Sequence, residues 1–67
     1  MDTLARIVSL STKIRQVTGL AGTINVDAET SEFLEGLEIC TNDGRILDQV
    51  SPEQRARIER IWNEHFA

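Results

Sequence analysis

The chain has 67 residues, 40 % hydrophobic and 27 % charged, the balance of one folded domain spanning 1–67 and unlike that of a disordered acidic tail. Seven Lys and Arg against eleven Asp and Glu give a formal net charge of −4, which repels phosphate backbones and anionic membranes and favours basic partners, so direct nucleic-acid binding is disfavoured. A single cysteine rules out an internal disulfide, and Arg6, Lys13 and Arg15 interrupt the apolar pattern of the first twenty residues, so the expected setting is cytoplasmic, with no targeting or membrane-spanning segment.

Leu4, Ile7, Leu10, Ile14 and Val17 recur at spacings of three and four, the stripe of an amphipathic helix over roughly 3–18. Asp2 or Thr3 can cap its start, and Gly19 offers the left-handed residue that commonly ends a helix. The stripe is narrow and nearly heptad-like. It suits a bundle core, and it also suits a weak homodimer, because so short a chain gains stability from any further burial.

The next segment, GLAGTINV, breaks the helical period with two glycines and β-branched residues and reads as an irregular link with a short extended piece at Thr23 to Val26. Helical spacing resumes at Asp27, with Asp27 or Thr30 as N-cap and Phe33, Leu34, Leu37, Cys40 and Thr41 on the inner face. Asn42, Asp43 and Gly44 tolerate left-handed geometry and stop this helix by about Thr41. In RILDQV, Ile46, Leu47 and Val50 are expected to plug the end of the bundle from an irregular segment.

The third helix is the most clearly punctuated. Ser51 is a preferred N-cap, Pro52 fits the first helical position because its missing N–H would be unpaired there, and Gln54 completes a capping box. Ile58, Ile61, Trp62 and His65 form the inner stripe, while Glu53 with Arg57, Arg55 with Glu59 and Arg60 with Glu64 are opposite-charge pairs four apart on a solvated face. Three helices with an irregular or short extended link between the first two make an all-α domain.

Gly44, Arg45, Ser51, Pro52, Gln54, Ile58, Ile61 and Trp62, in GRILDQVSPEQRARIERIW, resemble a pattern at the C-terminal end of small bacteriophage-encoded proteins: a Gly-Arg piece, a connector, Ser-Pro-x-Gln, then a helix with Ile and an aromatic. The resemblance implies an origin in a phage or mobile element, where small acidic proteins act as inhibitors or adaptors of host machinery.

Several chemistries lack their residues. DAETSEFLEGLE places Asp27, Glu29, Ser31 and Glu38 at calcium-loop spacing, but Glu32 stands where the turn glycine is needed and Phe33 and Leu34 continue a helix. One cysteine and one histidine, Cys40 and His65, cannot build a zinc or nucleophilic site, and on the inner stripes they read as packed core residues. No catalytic residue, metal or cofactor is expected, and the chain is not read as an enzyme. A helix-turn-helix regulator binding DNA as a dimer is the alternative, with Arg55, Arg57 and Arg60 as its readers, but interleaved glutamates remove the basic stripe.

Residues 21–50 carry seven acids against one base, Arg45, a local net charge of −6. If Phe33, Leu34 and Leu37 define the inner face, about 100° per residue places Glu32, Glu35 and Ile39 outward, with Glu29 and Asp43 towards the two ends of the same acidic stretch. An exposed isoleucine ringed by carboxylates has the anatomy of a small protein-binding spot, apolar at the centre and charged at the rim. The expected function is therefore protein–protein interaction: an inhibitor or adaptor, anti-CRISPR-like, that occupies a basic surface of a host nucleic-acid-processing or defence complex.

Overall fold

The computed structural model describes residues 8–67, and among these there are three helices and no strand: α1 (Leu10–Thr18), α2 (Ala28–Cys40) and α3 (Pro52–His65). The all-α expectation holds. The first helix, however, starts at Ser9 and does not run through it: Ser9 is extended (φ −69°, ψ 157°) and its hydroxyl oxygen accepts the Thr12 N–H. A serine inside an apolar stripe offers the backbone an alternative to helix, and here the cap wins. The expected caps Asp2 and Thr3, with Leu4 and Ile7, lie outside the described residues.

Gly19 is not left-handed. It sits at φ −66°, and the chain continues through tight turns in which Leu20 N–H donates to Val17 O and Ala21 N–H to Thr18 O. The reversal comes at Gly22, φ 79°, whose N–H donates to Ser31 Oγ at 2.8 Å. Thr23 to Val26 are turns and bends rather than an extended piece, because the Thr23 hydroxyl donates to Leu20 O and accepts from Asn25 N–H.

Asp27, of the two expected candidates, caps α2 through Oδ1 to the Thr30 N–H at 2.8 Å. The other end of α2 is closed by an unusual run. Asn42, Asp43 and Gly44 all have positive φ (49°, 58° and 88°), Asp43 N–H reaches back to Glu38 O, and Ile46 N–H to Thr41 O. Buried Thr41 is the pivot, its hydroxyl donating to Leu37 O at 2.6 Å and accepting from Gly44 N–H at 3.0 Å. Gly44 in turn lies against α1. Ser11 Oγ donates to Gly44 O at 2.7 Å, and a Cβ on Gly44 would stand 2.8 Å from Ser11 O.

Beyond this turn Ile46 and Leu47 stay substantially exposed and only Val50 packs on the core, so the expected three-residue plug is one residue. Ser51, Pro52 and Gln54 form the capping box as read, with Ser51 Oγ taking the Gln54 N–H and Gln54 Oε1 the Ser51 N–H. The core consists of Ile14 and Val17 from α1, Leu34 and Leu37 from α2, and Ile58 and Ile61 from α3. α2 and α3 both pack against α1 but make no close backbone approach to each other.

The α1–α3 seam is polar at its edge. Lys13 Nζ contacts Glu59 Oε1 at 2.6 Å and lies 4.7 Å from the centre of the Trp62 ring, while Trp62 Nε1–H donates to Gln16 Oε1 at 2.6 Å. Among the described residues, Glu59 thus pairs across helices and not with Arg55, and Arg57 lies over the Phe33 ring at 4.3 Å and not against Glu53. His65, expected on the inner stripe, is exposed, one turn beyond the last residue that α1 covers.

Two glycine substitutions separate backbone strain from the α1 contact. Gly22→Ala meets only the positive-φ penalty, with nothing within 4 Å of its Cβ, whereas Gly44→Ala adds the collision with Ser11. Chemical denaturation should show Gly44→Ala destabilising by about 1–3 kcal/mol and by more than Gly22→Ala. Equal losses would mean that the Ser11 contact contributes nothing.

Candidate functional site

α2 turns Leu34, Leu37 and Thr41 into the core, and the opposite face follows from helical geometry. Glu32, Glu35 and Ile39 are exposed there together, and Ile39 keeps 82 % of its surface. Two other predicted members stand apart. Glu29 is exposed in the first turn, about 80° round from Ile39, where an acidic side chain complements the helix dipole. Asp43 leaves the helix altogether: half-buried and left-handed, it turns towards α1, its Oδ1 3.5 Å from the Thr18 hydroxyl, which donates to Arg15 O at 3.1 Å.

Two residues of this face escaped the sequence reading. Gly36 lies between Glu32 and Ile39 in the middle of the helix, exposed, with nothing within 4 Å of where its Cβ would be. Cys40 is exposed and not a core residue, because the inward arc is filled by Leu34, Leu37 and Thr41 and Cys40 falls on its edge. Its thiol reaches Leu37 O at 3.7 Å. The signal for Gly36 was in the sequence: a glycine in a helix interior costs about 0.5–1 kcal/mol relative to alanine, so its presence asks for a reason.

Among the described residues no three His, Cys, Asp or Glu side chains gather as a metal site would require. Folding shifts the acidity of Asp27. Hydrogen bonds from Thr30, side chain first and then backbone, hold it below the ordinary aspartate value of 3.8, and the nearby Arg57 charge adds to the effect.

A carboxyl whose pKa is lowered by folding contributes stability above its unfolded pKa and loses it as pH falls through the folded value. Thermal melts from about pH 5 down to about pH 2 should therefore show a flatter acid limb for Asp27→Asn, which retains the cap without the charge. An unchanged limb would remove Asp27 from the acid response. On the outer face, Gly36→Ala should stabilise the fold by about 0.5–1 kcal/mol, read as a higher urea midpoint at unchanged slope. A lower midpoint would mean that the glycine is needed by the fold itself.

With the fold and this face described, comparison with protein-family models, with curated proteins and with solved structures finds no match for the chain.

Proposed function

We propose that the protein is a small interaction module that binds a basic protein surface through Glu32, Glu35 and Ile39 of α2. The observation that carries this reading is Ile39, a large apolar side chain 82 % exposed and flanked by exposed carboxylates. An apolar centre supplies binding energy when water is excluded, and rim charges steer encounter and reject wrong partners. Gly36 strengthens the case, since a missing Cβ beside Ile39 lets a partner's backbone or a large side chain approach α2 closely.

The partner class is a host nucleic-acid-processing or defence complex, whose basic groove the acidic helix fills in place of phosphate. The protein acts there as a cytoplasmic, phage-encoded inhibitor or adaptor of anti-CRISPR type. The C-terminal pattern from Gly44 to Trp62 and the net charge of −4 support that assignment. Among the described residues no helix is long and apolar enough to cross a membrane, which accords with it. The DNA-binding alternative gains nothing from the geometry. α2 and α3 lack the close backbone approach of a helix-turn-helix pair, and Arg57 is engaged with Phe33. Of the first stripe, Ile14 and Val17 are fully buried within the monomer and so are closed to a homodimer seam.

The test compares the native protein with Glu32→Lys/Glu35→Lys as immobilised bait. Solvent-facing changes should move stability by less than about 0.5 kcal/mol, so circular dichroism and melting stay close to native. A partner captured by the native protein should be lost by the double variant and should bind more weakly as salt rises. Equal capture by both, without salt dependence, would reject the acidic-face mechanism.

A further inference from the structure

α2 and α3 make no close backbone approach to each other, and a wedge opens between the start of α2 and the second half of α3, a groove of about 300 Å³. That is the lower end of the range for small-ligand sites. It lies about 180° around α2 from Ile39, and nothing argued for the acidic face bears on it. Val26 and Ile61 give it an apolar floor, and Arg57 and Arg60 line one wall.

Arg57 is the informative residue. It is half-buried, its guanidinium is held 4.3 Å from the centre of the Phe33 ring, and among the described residues no carboxylate closes on it or on Arg60 as an ion pair. A guanidinium fixed over an aromatic ring has already lost much of its rotamer freedom, so it binds an oxyanion with less ordering cost than a free arginine. The acids in the groove leave that fork open. Asp27, whose Oδ1 takes the Thr30 N–H, feels the Arg57 charge but stands outside ion-pair distance of it, and Glu64 is exposed, four residues after Arg60, without pairing to it. The first turn of α2 is not counted as a donor here, since the Thr30 N–H is engaged by the cap.

We propose that this groove is a binding site for a small oxyanion, a carboxylate or phosphate group on a short stem, gripped by Arg57 and Arg60 over the Val26–Ile61 floor. The two acids cancel much of the long-range field, so recognition rests on the donor fork of arginine, and a free ion binds at roughly millimolar affinity.

The test is an amide and arginine side-chain NMR titration of the whole chain with inorganic phosphate and, separately, sodium acetate, at ionic strength fixed by sodium chloride. Saturable shifts at Arg57 Nε–H, Arg60 Nε–H and Val26, with Ile39 unmoved, are expected for at least one of the two. Preference for phosphate assigns the tetrahedral ligand, and preference for acetate the planar one. Arg57→Gln should weaken binding about tenfold or more, the loss expected for one charge-assisted hydrogen bond. If that variant does not fold, Arg60→Gln, at an exposed position, should show the same weakening on an unchanged amide spectrum. Linear, unsaturated shifts with both anions would overturn the site, as would identical binding by the folded arginine variants.

Discussion

Ile14 and Val17, two fully buried residues of a nine-residue helix, are the point on which the rest of this molecule rests. Both longer helices bury apolar residues against α1 and neither makes a close backbone approach to the other, so α1 is the element that both share. The polar residues of α1 repeat the arrangement. Ser11 bonds the turn that follows α2, through Gly44, while Lys13 and Gln16 bond α3, through Glu59 and Trp62. Surface pairs of this kind each contribute about 0–1 kcal/mol. They act mainly to fix where on α1 each partner sits, and apolar burial supplies most of the stabilisation.

What could be read from the sequence was what depends on neighbours within a few residues. Ser51, Pro52 and Gln54 specify the start of α3 by local hydrogen bonding, and the period of Leu34 and Leu37 sets both the inner face of α2 and the exposure of Glu32, Glu35 and Ile39. Two of the errors share one cause. Periodicity gives the direction of a face but not how far along a helix a neighbour covers it, so His65 was placed inside although α1 does not reach it, and Cys40 was placed within an arc already full. Charges four apart on α3 suggested pairs, yet Glu59 is drawn to Lys13 and Arg57 to Phe33 by contacts that exist only once the helices have docked. Ser9 was hidden because an N-cap and a mid-helix serine look alike until the backbone chooses between them.

The outer face of α2 concentrates features that isolated folding disfavours. Gly36 weakens the helix, Ile39 exposes apolar surface, and Glu32 and Glu35 add like charges at adjacent positions of one face. Local choices that oppose stability without an internal reason tend to mark places where selection acted on contact with something else. On the inner side of the same helix every buried side-chain polar atom among the described residues has a partner, Thr41 included, so the inconsistency is confined to the surface that faces outward.

The absence of backbone packing between α2 and α3 also has a mechanical meaning. The contacts between the two helices are made by side chains, Arg57 over Phe33 among them, so the angle at which they open rests on those contacts and on the link from Thr41 to Ser51, while each helix stays anchored to α1. Anything that grips α2 from outside or fills the wedge from within acts on that one angle. Two such events are therefore thermodynamically linked: if both favour the same opening they reinforce each other, if they favour different openings they compete, and the effect of each on the other is equal in free energy.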